Sequence, residues 1–296
     1  MITYVVPSYN QSEFIKYTID SILINMLDND QLIIQDGNST DSTYDVVKQY
    51  LSDDRIEWYC ESDLGFSDAL VKAFSKVRNN IVGIHSSDDA YKPGIREKVI
   101  KAFDAGVVMV YADYERINIS NQPQGKVRHK KGSLEDFLTL KVLLPQSSLF
   151  FNFNILKNIK ILDLKYDYVA DIVLFNQIAL RGKVLYIPEI WSEVRVHSGS
   201  RTGKKNPGTQ YKEALNEVFL ELKDPLKRKV MSAALIAESR YFASSGKKLL
   251  ALKNFVIAFQ LDKKIIFHWI FLKTIKYLIF GTRLVDYSKK LINKLN

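Results

Sequence analysis

Two adjacent aspartates, Asp88 and Asp89, stand shortly after the apolar segment at residues 81–84. Carboxylates at the end of a strand can bind a hard divalent cation through their oxygens. The same pair can also cap a helix that begins near Lys92 and Pro93. Taken alone, the pair therefore leaves a metal site and a helix cap equally open.

A second chemically informative loop begins at Asp36, which follows the apolar segment at residues 32–34. The residues after it, which include Gly37, Ser39 and Asp41, favour a tight turn into a helix. Such a loop can hold a base or a ribose, although Ser39 and Asp41 are also ordinary turn and N-cap residues. Asp36 is the residue that a turn alone does not explain.

A third polar loop, at residues 61–69, holds three carboxylates around Gly65. Lys72 stands one helical turn beyond Asp68, so the two side chains can pair. An exposed pair of this kind contributes less than about 1 kcal/mol to stability. A contribution to stability therefore does not explain why so many polar residues stand beside the end of a strand. We interpret the loop as a binding site.

The elements that position these loops follow from hydrophobic patterning. Short apolar segments alternate with helix-length segments and lie at residues 2–6, 32–34, 56–59, 81–84 and 107–111. This alternation predicts an α/β fold with a mostly parallel sheet flanked by helices. Ligands of such sheets bind at the carboxyl ends of the strands, where the polar loops stand.

Composition narrows the class of protein. A chain of 296 residues that is 47% hydrophobic can form one large domain and a smaller appendage. The single cysteine, Cys60, excludes an internal disulfide and favours a reducing compartment, by default the cytosol. Residues 1–6 enter a strand pattern without a secretory signal, and Lys273 and Lys276 interrupt the longest apolar segment, so no transmembrane span is expected.

Charge is distributed unevenly along the chain. The net charge is +9, and residues 246–296 alone hold 11 Lys/Arg and 2 Asp/Glu. The basic excess therefore belongs to the C-terminal tail, which predicts a surface for anionic lipid, nucleic acid or an acidic partner. We place a domain boundary between residues 1–205, which hold the polar loops, and a helical, basic region at residues 206–296.

Four motifs together resemble the family 2 glycosyltransferases in order and spacing, at residues 5–10, 36–41, 61–72 and 87–89. The resemblance covers residues 1–205 and is closest to enzymes that build bacterial capsule, exopolysaccharide and O-antigen. It implies a GT-A fold, a nucleotide-diphosphate sugar donor, expected to be UDP-linked, a divalent metal (Mn²⁺ or Mg²⁺) and inversion at the anomeric carbon. The transferred group would be a hexosyl or N-acetylhexosaminyl unit.

The resemblance also implies roles for individual residues. Asp89 and His197 would bind the metal. Downstream, Asp171 opens a helix ahead of an Arg-x-His-x-x-Ser pattern and would be the general base, with Asp167 in reserve. The nucleotide sugar would contact Pro7, Tyr9, Asp36, Asp63, Asp68, Lys72, Asp88, Arg195 and His197.

The resemblance also concerns a basic loop and three positions at which this chain differs from close relatives. A loop containing Lys204 and Lys205 would help to offset the charge of the leaving diphosphate. The chain departs from close relatives at Val71 and Ala73, where Asn and Gly are common, and at Val173, where a second acidic residue is common.

The C-terminal segment predicts either an interfacial helix or a helix docked on the protein or in a homodimer. The concentration of lysines favours anionic lipid, with Trp269, Ile270 and Phe271 entering the bilayer. We therefore expect a cytoplasmic enzyme that is peripheral on the inner face of the cell membrane. Its acceptor would be a saccharide or a lipid-diphosphate-linked sugar.

Other classes of protein fit less well. No Gly-x-Gly-x-x-Gly supports a dinucleotide oxidoreductase, and no phosphate-loop motif is present. A sugar-nucleotide pyrophosphorylase is the nearest enzymatic alternative, and a catalytically inactive binding or scaffold protein is the alternative from another class. Aromatic residues among the lysines of the tail suit nucleic acid, but the aliphatic content is excessive for that purpose, so we expect no nucleic-acid partner.

Overall fold

The computed structural model describes residues 1–158, 164–197, 199, 207–217, 221–268 and 270–279. The chain divides into two compact units. The first comprises Met1–Gly132 and Leu143–Arg201, and the second comprises Ser133–Val142 and Thr202–Asn296. The residues between Pro7 and His197 that the sequence predicts to contact the nucleotide, the metal or the proton of the acceptor hydroxyl lie in the first unit.

The first unit is built around a sheet with nine strands in the described residues. They are β1 (Ile2–Ser8), β2 (Gln31–Asp36), β3 (Ile56–Cys60), β4 (Ile81–Ile84), β5 (Ala90–Tyr91), β6 (Met109–Ile117), β7 (Pro123–Val127), β8 (Leu149–Asn152) and β9 (Val184–Arg195). Their order in the sheet is β3-β2-β1-β4-β8-β6-β9-β5, and β7 pairs with β6.

The predicted α/β fold is confirmed, and its parallel part is β3-β2-β1-β4. Strand β8 then runs antiparallel to both β4 and β6, while β9 is parallel to β6 and antiparallel to β5. The sheet is therefore mixed, and the three loops after β1, β2 and β3 extend from its parallel half.

Helices in the described residues are α1 (Ile15–Leu23), α2 (Thr43–Val47), α3 (Phe66–Phe74), α4 (Ile95–Asp104), α5 (Leu134–Leu138), α6 (Ala170–Ala179), α7 (Pro207–Glu217), α8 (Leu226–Ser244) and α9 (Lys248–Leu261). Helix α1 buries Ile15, Ile19 and Ile22, which recur at helical spacing, against the sheet. Strands β1 and β2 are buried on both faces. Their sequences therefore read as continuous apolar runs rather than as alternations.

The second unit is helical and includes the segment Ser133–Val142. Helix α5 begins with a capping box, in which Ser133 Oγ accepts the Asp136 N–H at 3.2 Å and Asp136 Oδ2 accepts the Ser133 N–H at 2.9 Å. The Tyr211 hydroxyl of α7 donates to the Leu138 carbonyl at 2.7 Å. These contacts tie α5 to helices that follow it by many residues in sequence.

The C-terminal apolar segment is partly buried within this second unit. Ile270 and Phe271, which the sequence predicts to enter lipid, are 5% and 6% exposed, and Phe271 stacks on Phe255 with ring centroids 4.4 Å apart. That prediction is therefore corrected, because both side chains pack against protein. Trp269 lies outside the described residues. No helix in the described part of the chain has both the length and the hydropathy to cross a bilayer.

Candidate active site

The loops after β1 and β2 are joined by hydrogen bonds at neighbouring strand ends. The Asn10 N–H donates to Ser39 Oγ at 2.7 Å, and the Thr40 N–H donates to Asn10 Oδ1 at 2.8 Å. Asn10 has a φ of 52°, a left-handed conformation that asparagine tolerates better than most residues. Pro7 ends the apolar part of β1, and Tyr9 is 57% exposed. Both predicted base contacts thus stand at the rim of this joined pair of loops.

The carboxylate of Asp36 forms part of the turn after β2. Oδ1 accepts the Ser39 N–H and Oδ2 accepts the Ser39 hydroxyl, both at 2.7 Å. Cys60 Sγ lies 3.8 Å from Asp36 Oδ1. Asp36 therefore has the turn role that the sequence did not assign to it. If Asp36 contacts the nucleotide base, it does so with a carboxylate that Ser39 already orients.

Asp63 connects the loop after β3 to the loop after β2. Its Oδ1 accepts the Gly65 N–H at 2.9 Å. A Cβ atom at Gly37 would lie only 2.5 Å from Asp63 Oδ2, so Gly37 is required for this close approach. Burial raises the pKa of Asp63 above its ordinary value.

Asp68 and Lys72 shape the same loop from the first turns of α3. Lys72 Nζ donates to Asp68 Oδ2 at 3.0 Å and to the Ser62 carbonyl at 2.7 Å, and the Leu64 N–H donates to Asp68 Oδ2 at 3.0 Å. Burial of Asp68 opposes ionisation, but these hydrogen bonds outweigh it and lower the pKa of the carboxyl. Contacts of either side chain with nucleotide remain predictions.

Lys76 is a further basic residue at this edge that the sequence interpretation did not single out. Its Nζ donates to Gln35 Oε1 at 2.9 Å and to Glu61 Oε1 at 2.8 Å, and it lies 4.3 Å from the centroid of the Tyr59 ring. The signal that could have found it is its spacing, because Lys76 follows Lys72 by one helical turn.

Asp89 is buried and tied to two distant elements. Its Oδ1 accepts the Arg195 N–H at 2.8 Å, and its carbonyl accepts the Thr18 hydroxyl at 2.6 Å. Burial, reinforced by the negative charge of Asp88, raises the pKa of Asp89 well above its ordinary value. The side chain that the sequence assigns to the metal thus holds the strand end of β9 in place.

Asp88 turns instead toward His197. Its Oδ2 lies 2.9 Å from His197 Nε2, and the imidazole packs against Phe14 with ring centroids 5.0 Å apart. The structure therefore brings together two residues that the sequence assigns to phosphate and metal, although 109 positions separate them. Asp88 and His197 are the part of the aspartate loop that remains partly accessible to solvent.

Arg195 is expected from the sequence to contact the nucleotide, but its guanidinium is buried among protein groups. Nε donates to the Asp88 carbonyl at 2.9 Å, and Nη1 donates to the Asn118 carbonyl at 2.8 Å. The guanidinium also lies 4.8 Å from the centroid of the Phe14 ring. Arg195 is only 3% exposed and holds the aspartate loop in position, and its contact with the nucleotide stays a prediction.

The two carboxylates considered for proton transfer lie before and within α6. Asp167 Oδ1 accepts the Ser67 N–H at 3.0 Å, which attaches the segment before α6 to the start of α3. Asp171 follows four residues later, in the first turn of α6, and its Oδ1 accepts the Ile172 N–H at 2.9 Å. Asp167 therefore anchors the start of α3, and the role of Asp171 as general base stays a prediction.

A divalent cation fits the donors at Asp88 and His197. In the described residues no three His, Cys, Asp or Glu side chains converge on one point. Cations of this class commonly use one or two protein ligands and complete their coordination with substrate phosphates and water. One carboxylate and one imidazole suffice for such a shared site. Lys204 and Lys205, which the sequence predicts to offset the charge of the leaving diphosphate, lie outside the described residues.

Comparison with known proteins gives a family match. The family described as Glycosyl transferase family 2 matches residues 3–170. The chain is 24% identical to an uncharacterized glycosyltransferase of Rickettsia typhi, over 75% of this chain and 72% of that protein. It is also 24% identical to the minor teichoic acid biosynthesis protein GgaA of Bacillus subtilis, over 62% of this chain and 44% of that protein.

Solved structures share the fold. Residues 1–349 of TarS from S. aureus, in complex with UDP-GlcNAc, superpose with a TM-score of 0.68 at 16% identity, over 97% of this chain and 92% of that chain. The mannosyltransferase PcManGT from Pyrobaculum calidifontis, in complex with GDP-Man and Mn²⁺, superposes with a TM-score of 0.53 at 15% identity, over 95% of this chain and 86% of that chain. The family match spans more than half of the chain, and the chain therefore belongs to glycosyltransferase family 2.

Proposed function

We propose that this glycosyltransferase moves a hexose or N-acetylhexosamine from a UDP-linked donor to a hydroxyl group of a bacterial surface polysaccharide, with inversion at the anomeric carbon. A UDP-linked donor is supported by TarS, which shares the fold and whose structure contains UDP-GlcNAc. A surface polysaccharide is supported by the similarity to GgaA, a teichoic acid biosynthesis protein.

The observation that carries the proposal is the 2.9 Å contact between Asp88 Oδ2 and His197 Nε2. These groups meet at the end of β4, beside the carboxyl ends of the parallel strands, where ligands of such sheets bind. A diphosphate that leaves during transfer develops negative charge, and an imidazole at this position can stabilise it. A purely structural Asp–His pair would not require the neighbouring polar loops.

The base and ribose of the donor would lie across the loops after β1, β2 and β3. Tyr9 is exposed and can stack on the base. Asp36, which is buried and whose carboxylate accepts from Ser39, would contact the edge of the base. Asp63 and Lys72 shape the wall formed by the third loop. These assignments keep the sequence prediction and add Lys76 as a neighbouring positive charge.

We assign the divalent cation, Mn²⁺ or Mg²⁺, to Asp88 and His197, and we place Asp89 behind them as the buried support. PcManGT, which shares the fold and contains Mn²⁺, supports the choice of metal. When bound, the cation supplies positive charge that neutralises the diphosphate. Asp88 rather than Asp89 is chosen because the side chains of Asp88 and His197 are partly accessible to solvent, whereas Asp89 is only 5% exposed and accepts the Arg195 N–H.

Asp171 would act as the general base. The acceptor hydroxyl oxygen forms a bond to the anomeric carbon while the bond from that carbon to the diphosphate oxygen breaks on the opposite face of the sugar. Asp171 takes the hydroxyl proton, and UDP leaves with the bonding electron pair. Attack opposite the leaving group produces inversion. Asp167 accepts the Ser67 N–H at the start of α3, and we therefore choose Asp171, in the first turn of α6, for this step.

Residues 1–205 would carry the reaction, and residues 206–296 would hold the enzyme peripherally on the cytoplasmic face of the membrane. A saccharide on a lipid diphosphate would then present its hydroxyl at that surface. The excess of Lys/Arg in residues 246–296 supports this arrangement, since anionic lipid attracts basic segments.

A panel of nucleotide sugars tests the donor. The full chain is incubated with each sugar and Mn²⁺ or Mg²⁺, and the release of free nucleotide and the thermal shift are measured together. Release of UDP from one UDP-sugar, with matching stabilisation, is expected. Formation of nucleotide sugar from a nucleoside triphosphate and a sugar phosphate would instead indicate a pyrophosphorylase, and stabilisation without turnover would indicate a binding protein.

A further inference from the structure

Helix α9 carries an exposed apolar stripe, which consists of Leu249, Leu252, Val256 and Phe259. These residues recur at spacings of three, four and three, so they lie along one side of the helix. Leu249 is 85% exposed, and the other three are 41% to 50% exposed. A continuous row of large apolar side chains in water indicates an interaction surface.

The opposite side of α9 is fixed against α8, so the apolar stripe cannot turn inward. Ala251 and Ala258 are buried there. The Ser239 hydroxyl donates to the Ala251 carbonyl at 2.6 Å, and the Ser232 hydroxyl donates to the Ala258 carbonyl at 2.7 Å. Small residues let the two helices approach closely, and the hydroxyl bonds set the rotation of α9.

The segment that carries the apolar stripe is strongly basic in sequence. Residues 246–279 contain seven lysines and one acidic residue, Asp262, whose Oδ1 accepts the Lys264 N–H at 3.0 Å. Lys248 and Lys253 are exposed beside the stripe itself. Two copies of the chain that met through this surface would bring lysines together without compensating carboxylates. An anionic partner therefore fits the surface better than a second copy.

We propose that the apolar stripe enters the interfacial region of an anionic lipid bilayer while the flanking lysines contact the headgroups. The proposal deepens, and rests on, the membrane attachment stated under the proposed function. It moves the lipid-facing residues from Ile270 and Phe271, which are buried, to α9. The second unit also exposes Phe267, at 81%, in the turn after α9, which adds a bulky apolar side chain to the same region of the sequence.

Vesicle co-sedimentation of the full chain tests this surface. Vesicles of phosphatidylcholine alone are compared with vesicles that also contain phosphatidylglycerol. The variant Leu252→Gln/Val256→Gln is expected to bind the anionic vesicles about tenfold or more weakly, because two half-exposed aliphatic side chains no longer leave water. The variant Lys248→Glu/Lys253→Glu should also bind the anionic vesicles more weakly than the unaltered chain. This loss of binding should be pronounced only at low salt, because salt screens the charges.

The matched control is Ile24→Gln/Leu27→Gln, which removes two similarly exposed aliphatic side chains from the first unit. It should sediment like the unaltered chain. Circular dichroism checks that the variants fold, and light scattering measures their oligomeric state. Donor hydrolysis without vesicles should be unchanged in all of them, so the transfer reaction and the membrane surface are tested separately.

Equal sedimentation of the unaltered chain and the Leu252→Gln/Val256→Gln variant would overturn the proposal, as would the absence of binding to anionic vesicles. Equal binding of the unaltered chain to neutral and anionic vesicles would show that the lysines do not contribute to membrane binding, and would contradict that part of the proposal. A dimer in solution that the stripe substitutions dissociate would assign the apolar stripe to a second copy of the chain.

Discussion

The backbone N–H of Arg195 donates to Oδ1 of Asp89 at 2.8 Å, across 106 positions of sequence. Asp89 precedes β5 and Arg195 ends β9, and these two strands pair with each other. The bond therefore fixes the aspartate loop to the end of β9. Asp88 and His197, which flank the bond in sequence, meet as a consequence at 2.9 Å. The candidate catalytic pair is thus set by a buried support behind it.

Asp88 and His197 should act as a unit. Asp88→Asn is expected to lower turnover about 10²-fold or more, since the diphosphate loses stabilisation as its charge develops. His197→Gln should cost a similar factor, and the double variant should cost little more than either single variant. Steady-state kinetics with a cation titration measures this, with Asp28→Asn, an exposed carboxylate, as the control. If the losses of the two single variants instead add up fully in the double variant, Asp88 and His197 act independently.

Asp171 should affect turnover and not donor affinity. Asp171→Asn keeps the shape of the side chain but cannot take a proton, so kcat should fall by about 10²–10⁴-fold while the Kd for UDP-sugar stays unchanged. Asp167→Asn retains an oxygen for the Ser67 N–H and should remain active. Loss of turnover in Asp167→Asn with near-native turnover in Asp171→Asn would show that the base has been misassigned.

Gly65 should be far less replaceable than Gly94. Gly65 has a φ of +125°, and an added Cβ would lie 2.8 Å from Asp167 Oδ1. Gly94 also has a positive φ, +76°, but its Cβ would meet nothing within 4 Å. Gly65→Ala should therefore lower the free energy of unfolding by about 1–3 kcal/mol more than Gly94→Ala does. Urea denaturation measures the difference, and equal losses would contradict the contact.

The contribution of Asp41 to stability should depend on pH. Burial alone would raise its pKa, but hydrogen bonds from Thr43 and Ser12 outweigh burial and lower the pKa of Asp41 to about 2 from 3.8. A depressed carboxyl pKa stabilises the fold above the unfolded value, and this stabilisation is lost as the pH falls from 3.8 toward 2. Since the side chain is exposed, screening keeps the effect below about 1 kcal/mol.

Asp41→Asn tests that dependence. Urea denaturation of both proteins should show the variant less stable at neutral pH, and the difference should shrink as the pH approaches 2. A difference that stays constant, or that grows on acidification, would mean that the carboxylate charge is not what Thr43 and Ser12 stabilise.

Much of the first unit could be predicted from the sequence, because its central strands are apolar runs and its chemistry lies in the loops that follow them. The strands β1 to β4 and the loops at Asp36, Asp63 and Asp88 are examples. The sequence does not predict strand β8, because its four residues show no alternation and its antiparallel partners are distant in sequence.

Details that depend on long-range contacts could not be predicted. The sequence treats Asp88 and Asp89 as similar carboxylates, and only the Arg195 N–H, 106 residues away, distinguishes them. The burial of Ile270 and the exposure of Leu249 could not be predicted for the same reason. Periodicity identifies a face of a helix, but the helix that packs against it decides which face stays in water.

The central claim is inverting transfer from a nucleotide sugar, and proton NMR of the anomeric signals at early times tests it most directly. The full chain is mixed with Mn²⁺ and α-linked UDP-hexoses or UDP-N-acetylhexosamines, with Asp171→Asn as the inactive reference. The account predicts that UDP is released together with a product whose transferred sugar initially has the β configuration. The same result is expected whether water or a saccharide is the acceptor. A product that is first α-configured, or no turnover of any nucleotide sugar, would contradict it.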